Sequence, residues 1–204
     1  MAFVTLDFET YYAKDFSLTR MTTEEYINDP RFEVIGVGIK IDDGETRWYA
    51  DNIAEELHKI DWANSALLCH NMMFDGAILA FKYGIVPAYY FDTLCMARAI
   101  HGVDVGGSLA ALVKQYELGE KGTEVINALG KRRADFTSED LSSYGDYCIN
   151  DVDLTFGLFN RLSAKCPQAE LDLIDMTLRM YTQPTLYVND ALLVERLEEV
   201  REEK

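Results

Sequence analysis

The order in which strand-forming and helix-forming segments follow one another constrains the fold of this chain most. β-branched and aromatic residues predict strands at 3–10, 32–41 and 45–50, and an acidic turn at 42–44 joins the second and third of these as a hairpin. The short apolar run at 66–71 predicts a fourth, buried strand. Strands therefore dominate the first third of the chain.

Beyond this fourth strand the apolar residues recur mostly at helical spacing. Helices are predicted at 74–84, 92–100, 108–118, 138–164 and 167–182. Thr137 or Ser138 is suited to cap the longest helix, and Pro184 interrupts the chain after the last one. Strands followed by helices with a further strand among them favour an α/β fold, a mixed β-sheet with helices on both faces.

Length and composition indicate one globular domain with a C-terminal extension. The 204 residues, of which 49% are hydrophobic, suffice to bury one core. We predict that residues 1–182 form this domain and that residues 183–204 form the extension. The amphipathic stretch at 191–204 ends in a charged run without a cap, which favours a fragment of a longer protein.

Charge and cysteine usage limit the functions to be considered. The formal net charge of -16 argues against a protein that grips many phosphates along a duplex, but it allows one that holds a few nucleotides of a strand end. The four cysteines show no CxxC spacing, which argues against a zinc site and a disulfide framework. No signal peptide or membrane anchor is predicted, so a reducing, cytoplasmic setting is expected. The oligomeric state is left open.

Asp7 and Glu9 lie in the otherwise apolar first strand and are separated by one residue. Side chains alternate across a strand, so both carboxylates should share one face while Phe8 points into the core. Acids in such a strand are costly unless they have a partner, and two carboxylates can hold a hard cation such as Mg²⁺ or Mn²⁺. The alternative is a solvated, structural pair, since an acidic chain contains such pairs by chance.

A second carboxylate site is predicted where the fourth strand gives way to a helix. Asp75 lies at this strand-to-helix junction, where α/β sheets commonly build sites. The alternative is an ordinary acid in the first helical turn, stabilised by the helix dipole. His70 is interpreted as a structural hydrogen-bonding residue rather than as a ligand.

Tyr147 and Asp151 are four residues apart in the longest predicted helix and therefore share one face. This spacing can place a phenol beside a metal-bound water. The alternative is an amphipathic helix with a half-buried tyrosine and a solvated aspartate. Asp146 and Asp153 flank the pair and are expected to point elsewhere on the helix.

Together these residues resemble the three motifs of the DnaQ-like 3′-5′ exonuclease superfamily. The segments are DFET at 7–10, HNMMFD at 70–75 and YCIND at 147–151, in the order that the superfamily has them. Asp146 stands five residues before Asp151, where another subgroup has a histidine. The Tyr-x-x-x-Asp pattern therefore resembles the tyrosine-bearing subgroup, like the proofreading domains of family A polymerases.

The resemblance extends to phage-type family A DNA polymerases at 92–102, 107–118 and 182–193. It implies a ribonuclease H-like fold, two divalent cations (Mg²⁺ or Mn²⁺) and a polymerase domain in the same polypeptide. The substrate that it implies is the 3′ end of single-stranded DNA or a frayed primer terminus, with release of nucleoside 5′-monophosphates during proofreading. No polymerase activity is expected of these 204 residues.

The two-metal scheme of the family implies a role for each of the five motif residues. Asp7 would bridge both cations. Glu9 and Asp151 would complete the ligands of the ion on the nucleophile side, and Asp75 would hold the second ion mainly through water. Tyr147 would orient the attacking water together with Glu9.

Further residues are candidates for binding the substrate. Thr10 is placed to meet the terminal nucleotide as its counterpart does in the family. Asn71 and Phe74 are candidates for lining the strand path, with core packing as the alternative for Phe74. The basic run at 131–133 is a candidate phosphate contact, with a solvated loop as the alternative.

Two other functions stay open. RNase D-like enzymes share the tyrosine motif and trim RNA, although the polymerase-like tail argues against this substrate. The other is a catalytically inactive structural or DNA-binding module of a polymerase. The presence of all four carboxylates weighs against an inactive module.

Overall fold

In the computed structural model, which describes residues 1–102, 105–120 and 128–203, a five-stranded mixed β-sheet forms the centre of the protein. Its strands are β1 (Ala2–Thr10), β2 (Val34–Ile41), β3 (Arg47–Tyr49), β4 (Ser65–Cys69) and β5 (Tyr89–Asp92). Their spatial order is β3-β2-β1-β4-β5. β2 is antiparallel to both β1 and β3, whereas β1, β4 and β5 run parallel. The predicted α/β fold with a mixed sheet is confirmed.

Helices cover both faces of this sheet. Those within the described residues are α1 (Thr23–Asn28), α2 (Ile53–His58), α3 (Met72–Tyr83), α4 (Thr93–His101), α5 (Leu109–Gln115), α6 (Ser138–Ser163), α7 (Gln168–Thr182) and α8 (Asp190–Glu202). Alternation along β1 sends Phe3 towards α6, where its ring centroid lies 5.3 Å from that of Phe159. Phe8 faces the other way and stacks on Tyr83 of α3 at 5.8 Å.

The longest helix, α6, approaches the sheet closely because glycines line its contact with the sheet. A Cβ added to Gly38 of β2 would lie 2.9 Å from Cys148 Sγ, and one added to Gly145 of α6 would lie 2.6 Å from Cδ1 of Trp48. Side chains at these positions would push the helix away from the sheet, since protein interiors leave little free space. The glycines therefore bring the middle of α6 close to β1.

The longer elements lie at or near their predicted positions. The hairpin of β2 and β3 is present, and α6 begins at Ser138 with the Thr137 hydroxyl accepting a hydrogen bond of 3.1 Å from the Asp140 N–H. Three short elements, α1, α2 and β5, were not predicted. Each has only four to six residues, which is too short for a hydrophobic period to develop.

The C-terminal segment, residues 183–203 of the described chain, differs from the body of the protein in its burial. α7 packs into the core through Leu171 and Leu178, whereas α8 buries none of its residues. Tyr187, between these helices, is 94% exposed. No helix among the described residues combines the length and the apolar character needed to cross a membrane.

Candidate active site

The first pair of carboxylates lies near the carboxyl end of β1, the central strand. Asp7 and Glu9 are half-buried on the face that α6 covers, and Phe8 between them is 4% exposed on the opposite face. One carboxylate oxygen of Asp7, one of Glu9 and the Cys148 Sγ all lie within 4.8 Å of one another. The two acids thus converge on one face, as their spacing predicts.

Asp75 reaches the same region from the first turns of α3. It is 2% exposed, and its Oδ1 accepts a hydrogen bond of 3.0 Å from the backbone N–H of Phe8. This bond joins the start of α3 to β1 between the two other acids. Burial, and after it the negative charge of Asp7, raise the pKa of Asp75 well above its usual range. A solvated acid of a first helical turn would show neither property.

The turn that presents Asp75 is held by the buried Asp92 at the end of β5. Asn71 adopts a left-handed conformation with φ of 69°, and its N–H donates to Asp92 Oδ1 at 2.9 Å. The same oxygen accepts from the Leu94 N–H at 2.9 Å and so caps α4. One carboxylate therefore fixes both the turn before α3 and the start of α4.

His70 forms part of the wall beside this turn. Its Nε2 lies 3.0 Å from the carbonyl oxygen of Gly107, and its Nδ1 lies 2.8 Å from the Thr93 hydroxyl. The imidazole thereby joins the end of β4 to the segment before α5. This arrangement agrees with the structural role predicted for His70.

Asp7, Asp75 and Asp151 line one cleft of about 470 Å³. Asp151 is 5% exposed and comes from α6, so three different elements contribute these carboxylates. Among the residues that the structure describes, those lining the cleft include no lysine and no arginine. Three acids gathered in this way favour a bound cation, because a positive charge lowers the cost of holding their carboxylates ionised close together.

Glu9 is held on the far side of Asp7 by Tyr144. The Tyr144 hydroxyl donates a hydrogen bond to the Glu9 carboxylate, and its ring, which is 5% exposed, stacks on Phe136 at 5.5 Å between centroids. Burial, followed by the charge and the hydrogen bond of Glu9, raises the pKa of Tyr144 far above its usual range. The hydroxyl therefore remains a donor at all ordinary pH values.

Tyr147 lies one helical turn before Asp151 and is half-buried against the apolar cluster that contains Phe136 and Tyr144. The two flanking acids point away from the site, as predicted. Asp146 is exposed, and the Asp153 carboxylate accepts a hydrogen bond of 3.1 Å from Lys40. The role of Tyr147 in orienting a water stays a prediction.

The donor set fits a hard divalent cation. Carboxylate oxygens are the ligands that Mg²⁺ and Mn²⁺ prefer, and the four acids converge from three directions: Asp7, Glu9, Asp75 and Asp151. Asp75 and Asp151 are both almost completely buried. Buried carboxylates without a cation carry a large desolvation cost, which metal binding would offset.

The three predicted substrate-binding residues lie in different surroundings. Asn71 and Phe74 line the cleft beside Asp75. Thr10 is only 8% exposed, and its hydroxyl lies 2.9 Å from that of Tyr26. All three assignments stay predictions, and the hydroxyl of Thr10 already has a protein partner.

The basic run at 131–133 is largely engaged within the protein. Arg132 forms an ion pair with Glu33 at 2.8 Å, and Arg133 forms one with Asp51 at 2.9 Å. These contacts tie the run to the body of the protein, although the side chains of Arg132 and Arg133 stay partly exposed, as in the solvated loop considered from the sequence. They also leave the phosphate contact without structural support, since both guanidinium groups have carboxylate partners.

Three residues that shape the site were not predicted: Asp92, Tyr144 and Cys148. A signal existed for Tyr144 and Cys148, because positions 144, 148 and 151 recur at helical spacing on the face that carries the predicted aspartate. Asp92 immediately precedes α4, at the position where an N-cap residue is expected. Their contacts with Glu9, Asp7 and Asn71 depend on the tertiary fold.

The fold and the carboxylate cluster together define a DnaQ-like nuclease. A family model described as 3′-5′ exonuclease matches residues 49–167, a segment that contains Asp75 and Asp151. The chain belongs to this 3′-5′ exonuclease family. DnaQ-like exonucleases use divalent metal ions, in agreement with the ligand chemistry of the site.

Solved nuclease structures share this fold. NrnC from Brucella melitensis is 17% identical, with a TM-score of 0.61 over 88% of this chain and 81% of that chain. RNase D from Trypanosoma brucei in complex with RNA U12 is 14% identical, with a TM-score of 0.67 over 92% of this chain and 65% of that chain. NrnC structures with bound Mg²⁺ and with pGG are also similar. Comparison with curated proteins gave no match.

Proposed function

We propose that this chain removes nucleotides one at a time from the 3′ end of single-stranded DNA, as the proofreading exonuclease of a phage-type family A polymerase. The convergence of Asp7, Asp75 and Asp151 on one cleft, with Glu9 beside them, is the observation that carries the proposal. A cleft of about 470 Å³ suits the end of one strand rather than a duplex.

The preference for DNA rests on the polymerase-like segments of the sequence. These are 92–102 and 107–118, which include helices α4 and α5 of the cleft wall, and the tail at 182–193. The division into an exonuclease domain at 1–182 and an extension at 183–204 that leads towards a polymerase belongs to the same proposal. The exposed apolar residues of the extension, such as Tyr187, support it.

Each group in the site has a distinct task in this reaction. Two divalent cations, when bound, supply a nucleophilic water and stabilise the charge on phosphorus and on the leaving 3′ oxygen. Asp7 would contact both ions, with Glu9 and Asp151 on the nucleophile side and Asp75 on the other. Tyr147 would position the attacking water.

Support in this structure differs among these groups. The Phe8 N–H fixes Asp75 and the Tyr144 hydroxyl fixes Glu9, so both carboxylates are oriented before substrate arrives. Asn71 and Phe74 line the approach to the acids and would contact the terminal nucleotides. The nucleotide would leave as a 5′-monophosphate because the bond to the 3′ oxygen breaks.

A second candidate function is the trimming of RNA or short oligonucleotides. Its support is the fold shared with RNase D in complex with RNA U12 and with NrnC bound to pGG. The two candidates use the same carboxylates and differ in how the sugar is accommodated. A comparison of substrates therefore separates them, whereas a mutation of the acids does not.

Cleavage of matched single-stranded DNA and RNA oligonucleotides, labelled at the 5′ end, tests the proposal. In Mg²⁺ we expect a ladder of products shortened from the 3′ end and faster turnover of DNA. A DNA duplex with a mismatched 3′ end should be shortened faster than a fully paired one. Faster turnover of RNA would favour the RNase D-like function, and cleavage of neither substrate would indicate an inactive module.

A further inference from the structure

The carboxylate site also contains a thiol that hard cations do not require. Cys148 is fully buried and lies on α6 between Tyr147 and Asp151. Its Sγ lies 3.8 Å from Asp7 Oδ2, and one oxygen of Glu9 completes a group in which all ligand atoms are within 4.8 Å. An acid pair suited to Mg²⁺ is therefore adjacent to a ligand suited to softer ions.

The separation of the Cys148 sulfur from the Asp7 carboxylate is close to that of two donor atoms on one soft cation. Zinc–sulfur and zinc–oxygen bonds of about 2.3 and 2.1 Å at a tetrahedral angle place the two donor atoms about 3.6 Å apart. The Sγ to Oδ2 distance of 3.8 Å needs little adjustment to reach that value. The adjustment is a small displacement of the thiol, which is held by a weak hydrogen bond of 3.4 Å to the Asp7 carbonyl.

We propose that Cys148 allows this site to bind a second class of cation: Zn²⁺ or Cd²⁺ binds through Asp7, Glu9 and the Cys148 sulfur. A soft cation bound there blocks the site for hard cations. On binding, the metal–sulfur bond forms and the thiol proton passes to solvent, with no change of oxidation state. Mg²⁺ leaves the thiol uncoordinated, because hard cations take oxygen ligands. The inference rests on the proposed function only for the identity of the blocked site.

Titration of the metal-free protein with Cd²⁺, followed by the ultraviolet charge-transfer absorption of a cadmium–thiolate bond, tests the proposal without any substrate. The wild-type protein should show the absorption at the first equivalent. Cys148→Ser should lose it. Cys95→Ser is the matched control and should retain it, since Cys95 also lies beside a carboxylate, 3.2 Å from Asp92, but outside the ligand group.

Inhibition supplies the second measurement. With Mg²⁺ present, the Cd²⁺ concentration that halves exonuclease activity should rise at least about tenfold in Cys148→Ser, corresponding to loss of roughly 1.4 kcal/mol of binding free energy. Cys148→Ala gives the same comparison if the serine variant is destabilised by its buried hydroxyl. An unchanged thiolate absorption in both Cys148 variants would overturn the proposal, as would its absence from the wild-type protein. Absence of nuclease activity with the absorption intact would count against the proposed function alone.

Discussion

The two sides of Asp7 are built differently. On the cleft side, Asp75 and Asp151 are nearly buried yet line an open cleft of about 470 Å³. On the packed side, Glu9 contacts the buried Tyr144 hydroxyl and lies within 4.8 Å of the buried Cys148 sulfur. In the proposed function the cleft side would hold substrate and cations, whereas on the packed side the neutral Tyr144 hydroxyl orients Glu9.

Asp7 is common to both sides, so its replacement should have the largest effect. Asp7→Ala removes the ligand proposed to bridge both cations, and we expect exonuclease activity to fall by at least about 10³-fold, since metal-ion catalysis supplies several kcal/mol. Asp146→Asn, which removes an exposed acid of α6, is the matched control. If Asp7→Ala keeps activity within tenfold of wild type, Asp7 is not the residue that the cleft side and the packed side have in common for catalysis.

On the cleft side, Asp75→Asn should lower activity by about 100-fold while it stabilises the metal-free protein. The pKa of Asp75 is raised in the folded state, so its contribution to stability is complete below the unfolded pKa and is lost as the pH rises through the folded pKa. Asparagine does not ionise and can still accept from the Phe8 N–H. In chelator at neutral pH we therefore expect a gain in the free energy of unfolding relative to wild type.

Chemical denaturation at several pH values measures this gain. The difference in the free energy of unfolding between Asp75→Asn and wild type should vanish below about pH 3, where Asp75 is protonated in both the folded and unfolded states. A variant that is less stable than wild type at neutral pH in chelator would show that the buried charge is compensated without a metal. Asp146→Asn again serves as the control, because it should leave the free energy of unfolding unchanged at every pH.

On the packed side, Tyr144→Phe should have a smaller effect that leaves substrate binding unchanged. The variant keeps the ring stacked on Phe136 and removes one hydrogen bond to Glu9. If the hydrogen bond that orients Glu9 contributes about 1 kcal/mol to transition-state stabilisation, its loss decreases kcat about fivefold, with KM unchanged. Tyr90→Phe, which removes another buried hydroxyl, should leave kcat unaltered.

The Mn²⁺ concentration needed for half-maximal activity distinguishes orientation of Glu9 from a general loss of structure. We expect it to increase in Tyr144→Phe and to stay constant in Tyr90→Phe. An equal decrease of kcat in both tyrosine variants would mean that the packed side has no special role.

Removal of residues 183–204 should have the smallest effect. α8 buries none of its residues, so the free energy of unfolding should change by less than about 0.5 kcal/mol and activity on a short single strand should persist. Thermal unfolding and cleavage of the same oligonucleotide check both points. A large loss of stability would show that the segment belongs to the folded body rather than to an extension.

The sequence predicts the fold and the acids of the site better than it predicts the contacts that hold those acids in place. Alternation in β1 and helical spacing in α6 are local properties, so the face of Asp7 and Glu9 and the bounds of α6 follow from short segments. β5 was missed because its four residues run directly into α4 at Asp92. No local pattern marks where that strand ends.

The supporting contacts could not be predicted because they join residues distant in the chain. The hydrogen bond from the Phe8 N–H to Asp75 spans 67 positions, and the contact of Cys148 with Asp7 spans 141. Gly38 and Gly145 permit that approach, but a glycine within a strand or helix does not reveal which side chain will occupy the space it leaves.

A crystal of the protein soaked in Mn²⁺, measured for anomalous scattering, tests the central claim most directly. We expect two Mn²⁺ ions about 3.5 to 4 Å apart, with Asp7 in contact with both and Asp75 on the cleft side. Absence of any ion beside Asp7 at saturating Mn²⁺, or an ion held only by acids outside this cluster, would contradict the account.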